Sequence, residues 1–493
     1  MSRIRRPVWQ PKPEDYMKVF REQNPWHVTG EVPESLAFRT ERELAKRLWC
    51  RLATNRPRRY QLILGPRRVG KTTCLYQSVR SLLREGIDPM RLWWLRLDHP
   101  LLMEVDLGSL VRSVIKMSQA DEQQPTFLFL DELTYAKNWD KWLKTFYDEN
   151  WPVQIAGSSS ATALLRDKRT ESGVGRWEEQ YLAPYLIGGF LALLGRQVPA
   201  ISGDNLSEVV DQLFSDPPSP AGLSEIRRRL ILVGGFPELI LDDESRQDNL
   251  ADGLFRSQRI LRTDAIERTI YRDIPQAYGV DNPSSLERVL YTLAGQIAQI
   301  FSPSNICSDL GVSKPTLEKY VVYLEQSFLI FTLQNFSGSE PKRQKRGRKL
   351  FFVDTALRNA ALQRGLSPLD DHAEMGLLLE NIVASHLHAL SQQTQVRLFH
   401  WREKKYEVDL VYDHPEAPMA FEVTSSARHD RESLYQFMET FPRFKGRCFV
   451  VGPKEQLILP ADSWDQVGSL PVDSLLIACS QLTESFLRRN LDI

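Results

Sequence analysis

Two short runs in this 493-residue chain have the residue types and spacing to handle a nucleoside triphosphate. The first is Gly65-Pro66-Arg67-Arg68-Val69-Gly70-Lys71-Thr72-Thr73, which reads G-x-x-x-x-G-K-T after an apolar stretch from Tyr60 to Leu64. Its glycines let backbone N–H groups turn inward around phosphates, and the helix that follows points its positive dipole end at them. In this pattern Lys71 reaches the β- and γ-phosphates of ATP and Thr72 holds Mg²⁺. The second run, Thr126 to Leu130, is apolar and ends in Asp131 and Glu132. Asp131 is expected to bind Mg²⁺, directly or through water. Glu132 is expected to polarise a water for attack on the γ-phosphate. A third run, Pro152 to Gly157, leads into Ser158-Ser159-Ser160, and Ser158 or Ser159 is placed to touch the γ-phosphate or the attacking water.

Strands must hold these residues in place. A continuous apolar run suits a strand buried on both faces of a parallel sheet, and such sheets bind ligands at their carboxyl ends. Arg91 to Asp98 reads as a further strand and Trp139 to Glu149 as an amphipathic helix. The alternation predicts an α/β fold with a doubly wound parallel sheet of P-loop NTPase type. The tryptophans around it, Trp93, Trp94, Trp139, Trp142 and Trp151, read as packing.

Further along, Leu286 to Ile300 is a long apolar-periodic helix and Ser304 to Leu310 a short one. A turn at Gly311 and a helix from Ser313 to Leu324 follow, with Ser313 as its N-cap. This order resembles a winged helix. It would offer Lys314, Thr316 and Lys319 to a groove. Two β-rich runs, Phe328 to Gln334 and Leu350 to Val353, flank Lys342, Arg343, Lys345, Arg346, Arg348 and Lys349, a basic run expected to touch phosphates as a wing. DNA is the favoured nucleic acid.

The C-terminal part carries spaced acids: Glu380 on a helix, Asp409 in the strand Tyr406 to Tyr412, and Glu422 in the strand Ala420 to Thr424. They are expected to share a possible second divalent cation. The set resembles the PD-(D/E)XK nuclease core, where the second strand reads E-x-K. Here it reads Glu422-Val423-Thr424, and the lysine that would stabilise charge on the phosphorane is absent. An inactive nuclease-like domain is therefore expected.

Composition supplies bounds. Lys plus Arg and Asp plus Glu both number 63, so overall charge selects no partner and any nucleic-acid surface is local. Five scattered cysteines without C-x-x-C spacing point to a reduced compartment and no zinc site. No apolar run reaches membrane-spanning length, and the basic N-terminal residues lack the apolar core of a signal peptide, so a cytoplasmic protein without membrane contact is expected.

The motifs together resemble AAA-type ATPases of bacteria and archaea with an appended DUF4143 region. The matching pieces are GPRRVGKTT at 65–73, FLDE at 129–132, GSSS at 157–160, GR at 175–176, GGFPE at 234–238 and FFVDTALRN at 351–359, followed by the acidic set. The resemblance implies that Lys71, Thr72, Asp131 and Glu132 form an ATP site. It also implies that Arg176 acts on a neighbouring subunit's nucleotide, which would require a homo-oligomer. The expected layout is a helical lead-in (1–59), the ATPase core (60–214), a helical lid (221–283), the winged helix (284–355), a restriction-endonuclease-like α/β domain (370–455) and a tail (456–493) that matches nothing. The expected function is Mg²⁺-dependent ATP hydrolysis with nucleic-acid binding. The alternatives are an ATP-gated metal-dependent DNA nuclease and a nucleotide-controlled switch for a protein partner.

Overall fold

The computed structural model describes residues 11–160, 175–199, 201, 203–215, 222–244, 250–337, 347–426, 430–453, 456–460 and 467–489. The chain folds as two units, Met1–Gly65 with Gly70–Leu182 and Asn490–Ile493, and Pro66–Val69 with Ala183–Arg489. The proline-rich stretch at 216–220 lies outside the described residues.

The first unit is built on five parallel strands: β1 (Tyr60–Leu64), β2 (Leu92–Arg96), β3 (Thr126–Asp131), β4 (Val153–Ser159) and β5 (Trp177–Tyr181), in the order β2-β3-β4-β1-β5. Every residue of β1, β3 and β4 is buried, as expected of apolar strands covered on both faces. The register sets Ile63 opposite Ser158 and Leu130 opposite Gly157, so the carboxyl ends of β1, β3 and β4 lie side by side. Gly70 ends the loop after β1 with φ 98°, a left-handed value that favours glycine, and the helix Lys71–Arg84 starts there. The helix Leu107–Ser118 is capped by the Asp106 carboxylate, which accepts from Ser109 N, and Trp139–Asp148 is the helix expected between β3 and β4. Tyr76 and Trp94 stack at 4.6 Å, and Trp93, Trp94 and Trp139 are buried as packing residues.

In the second unit three helices, Pro283–Ala294, Pro303–Leu310 and Lys314–Gln326, precede the antiparallel pair β6 (Ile330–Leu333) and β7 (Lys349–Phe352). Ser313 is the N-cap expected, its hydroxyl accepting from Thr316 N. The helix His372–Thr394 then leads to a mixed sheet of β8 (Arg397–Glu403), β9 (Tyr406–Asp413), β10 (Met419–Val423), β11 (Cys448–Gly452) and β12 (Val467–Pro471), in the order β12-β11-β10-β9-β8. The tail that matched nothing is structural. It supplies β12 and the helix Val472–Arg489, whose Leu475, Leu476 and Leu482 share one apolar core with Leu387 and Leu390 of His372–Thr394.

Two of the family-like motifs meet here. Gly235 N donates to Asp354 Oδ2 (2.8 Å) and Gly235 O accepts from Tyr185 N (2.7 Å). A side chain on Gly234 would strike Asp354 and Ala356, and one on Gly235 the backbone of Tyr185. G-G-F-P and F-V-D are thus two halves of one packing contact. Burial lifts the Asp354 carboxyl to about 6. Close by, buried Glu374 pairs with both Arg358 and Arg364, its bond to Arg364 Nη2 being 2.5 Å. Among the described residues no helix is long and apolar enough to cross a membrane.

Candidate functional site

At the carboxyl ends of β1, β3 and β4 the structure gathers Lys71, Thr72, Asp131, Glu132 and Ser158. Lys71 is buried, and its ammonium donates to Gly65 O at 2.9 Å, spanning the loop it follows. Thr72 Oγ1 donates to Asp131 Oδ2 at 2.9 Å, and Ser158 Oγ donates to Asp131 Oδ1 at 2.5 Å. Burial raises the Asp131 carboxyl above its ordinary value against the pull of those two hydrogen bonds and of the Lys71 charge. A buried carboxylate beside a hydroxyl oxygen is a donor set that fits Mg²⁺, and a cation there would offset the cost of burying Asp131. Thr73 follows on the first turn of the helix, and Val69 is fully buried.

Glu132 takes left-handed backbone angles, φ 54° and ψ 50°. A non-glycine residue in that region costs about 1–3 kcal/mol and persists only where its surroundings hold it. The turn is held by Glu132 N donating to Ser158 Oγ (3.0 Å), while Ser160 Oγ lies 3.4 Å from Glu132 Oε2. Ser158 therefore bridges the Asp131 carboxylate and the Glu132 backbone, more than a strand-tip contact to phosphate requires. Ser159 faces Thr134 instead, 3.5 Å away.

Arg67 and Arg68, loop residues expected around the phosphates, turn their side chains to acids. Arg67 holds Asp273 through two bonds of 2.5 and 2.6 Å, and Arg68 pairs with Glu238 and Asp264. Arg176 binds Asp148 through two bonds of 2.8 and 2.9 Å just before β5. Because Tyr60 pairs with Trp177, that is the amino end of the parallel sheet, away from Gly65. Arg176 thus has a local partner and does not join the site of its own chain. Pro66 is buried in the loop.

One expectation is corrected, that of Lys349 as an exposed wing residue. It is 2 % exposed, and its Nζ lies 2.7 Å from Glu380 Oε1, 2.9 Å from Glu407 Oε1 and 2.7 Å from Asp409 Oδ1. Glu380 and Asp409 do converge as expected, but on an ammonium, with Glu407 as a third acid that its sequence position gave no reason to single out. Asp409 Oδ2 accepts from Val423 N (2.8 Å), next to Glu422. Among the described residues no group of three or more His, Cys, Asp or Glu has the arrangement to hold a metal ion. Lys349 thus lies between Glu380 and Asp409, two of the three acids expected to share a cation.

Lys314 and Lys319 are exposed and Thr316 half-buried on the helix Lys314–Gln326. Arg348 is half-buried, paired with Glu318, its guanidinium 5.3 Å from the centre of the Phe301 ring. Lys342, Arg343, Lys345 and Arg346 lie outside the described residues.

Family models match three parts of the chain. Residues 57–191 match the AAA domain family model, 375–470 match DUF4143 and 224–368 match DUF8612, the last two being domains of unknown function. An uncharacterised protein of Haemophilus influenzae is 23 % identical over 389 residues, covering 78 % of this chain and 87 % of its own. An uncharacterised protein of Methanocaldococcus jannaschii is 24 % identical, covering 72 % of each chain. Among solved structures, a Walker-type ATPase of Pyrococcus abyssi aligns with a TM-score of 0.40 at 14 % identity, over 65 % of this chain and 95 % of its own. The RuvB Holliday junction branch migration motor of Thermotoga maritima aligns with a TM-score of 0.30 at 15 % identity, over 62 % and 89 %. In the loop after β1, the acids after β3 and the matched domain models, this chain is similar to AAA-domain proteins, and its C-terminal part is similar to DUF4143.

Proposed function

We propose that the chain hydrolyses ATP in a Mg²⁺-dependent reaction, that nucleic acid bound by the helix Lys314–Gln326 influences that turnover, and that the C-terminal domain does not cut. The observation that carries the first part is Glu132, strained into the left-handed region beside the Asp131–Thr72 pair. In the proposed step Glu132 accepts a proton from water as its oxygen bonds to the γ-phosphorus. The bond from that phosphorus to the bridging oxygen breaks, leaving ADP and phosphate. Lys71 leaves its Gly65 contact to meet the phosphate charge, and Ser158 keeps the Glu132 backbone in place. Mg²⁺, held at Thr72 and Asp131, would neutralise charge between the phosphates.

Three helices followed by the antiparallel β6–β7 pair support the winged-helix reading, and exposed Lys314 and Lys319 support contact with phosphates. Double-stranded DNA is expected to raise ATP turnover. Replacing Lys314 and Lys319 by Gln should flatten the slope of log affinity against log salt by about 1–2, since each phosphate contact contributes about 0.9. An unchanged slope would remove this helix from the interface, and turnover indifferent to DNA would favour the protein-partner switch. The helix bearing Glu380 and the strands bearing Asp409 and Glu422 support a nuclease-like fold. Thr424 in the lysine position supports its lack of cleavage.

A further inference from the structure

Lys349 reaches its carboxylates from outside the element that bears them. It opens β7, whereas Glu380 lies on the helix His372–Thr394, and Glu407 and Asp409 lie on β9. The three oxygens surround Nζ at 2.7–2.9 Å, hydrogen-bond distances for an ammonium. Hard cations such as Mg²⁺ and Ca²⁺ take carboxylate oxygens at about 2.0–2.6 Å. A divalent ion on these same oxygens would therefore sit within a few ångström of the ammonium with no water between them. At that distance like charges repel strongly in a buried site.

The lysine is also held where it is. The chain on the other side of the β6–β7 pair is fixed to β8 by Phe336 N donating to His400 O (2.6 Å) and His400 N donating to Gln334 O (3.1 Å). His400 Nε2 lies 3.2 Å from Gly347 O, two residues before Lys349. Both feet of the pair are thus attached to β8 independently of the ion pairs.

We propose that Lys349 is the resident cation of this acidic cluster, standing where a divalent metal ion would otherwise bind and joining β7 to the C-terminal sheet. The wild-type domain is then metal-free because of one side chain supplied by a different sheet. This rests on the cluster geometry, and it gives the non-cutting reading of the domain a physical cause.

The test is Mn²⁺ binding to the full chain without nucleotide, followed by electron paramagnetic resonance. Four proteins are compared: wild type, Asp409→Asn, Lys349→Ala and the Lys349→Ala/Asp409→Asn double variant. Any Mn²⁺ at Asp131 is common to all four. Wild type and Asp409→Asn are expected to bind the same amount, whereas Lys349→Ala gains one ion per chain that the double variant loses. Its melting temperature should rise with Mn²⁺ while that of wild type does not respond at this cluster. A wild-type ion lost in Asp409→Asn would overturn the proposal without requiring any Lys349 variant to fold. A folded Lys349→Ala protein that gains no ion would overturn it as well. If Lys349→Ala folds only with Mn²⁺ present, the exchange of one cation for the other is supported directly. DNA cleavage is measured separately: wild-type cutting without an Asp409-dependent ion would refute the non-cutting reading and leave the resident cation standing.

Discussion

A Glu132→Gln protein is expected to bind ATP about as tightly as wild type and to hydrolyse it about 10²–10⁴-fold more slowly, the usual share of a positioned general base. The argument is local. Glutamine keeps the shape of the side chain, and the backbone bond from residue 132 to Ser158 Oγ does not depend on the carboxylate. The Lys71 and Thr72 contacts also remain. Only the proton acceptor is removed, so the loss should appear in kcat. Binding measured by a fluorescent ATP analogue and turnover measured by phosphate release separate the two effects. Turnover close to wild type would mean that another group activates the water and that the strain at Glu132 serves only the turn.

The second large effect is on stability in acid. His386 is buried with both ring nitrogens committed: Nδ1 lies 2.8 Å from Ile382 O and Nε2 accepts from Ile187 N at 3.0 Å. That pattern fixes a neutral ring with the proton on Nδ1. Burial pushes its pKa down to about 4. In the unfolded chain the ring titrates near 6.5. Above pH 6.5 both states are neutral and the full stability is present. As pH falls toward 4 the unfolded chain takes up a proton that the folded protein refuses, so stability is lost across that window. At 1.36 kcal/mol per pKa unit the loss is roughly 3 kcal/mol. Asp354 and Glu380, whose carboxyls are raised to about 6 and about 8, act in the opposite direction. The histidine is therefore isolated by the difference between wild type and His386→Gln. Urea midpoints at pH 7 and pH 4.5 should show the variant losing less stability on acidification. An equal loss in the two proteins would contradict a buried neutral His386.

The nucleotide site was readable in the sequence because it is made of short local patterns. Each motif sits at the end of its own strand, and a parallel sheet brings strand ends together without further instruction. The same reasoning recovered the Ser313 cap and both members of the β6–β7 pair. It failed where a charge meets a partner distant in sequence. Lys349 closes a basic run and looks solvated, yet all four residues of β7 are buried and its Asp409 partner is 60 residues away. Arg67 and Arg68 sit inside a phosphate-loop pattern, but their acids lie 206 and 196 residues further on, at Asp273 and Asp264. Glu407 stood beside Asp409 in the same strand and differed from it in nothing that a sequence displays. The glycines of G-G-F-P were recognisable as a motif, and their cause, the Asp354 carboxylate and the Tyr185 backbone, required the fold.

The most direct test of the account is Mg²⁺-ATP binding and turnover by the purified chain beside its Lys71→Ala variant. The account predicts hydrolysis by wild type, and loss of both tight ATP binding and turnover when the buried Lys71 ammonium is removed. A Lys71→Ala protein that holds ATP as tightly as wild type, or a wild-type chain that binds ATP and never hydrolyses it, would contradict the account.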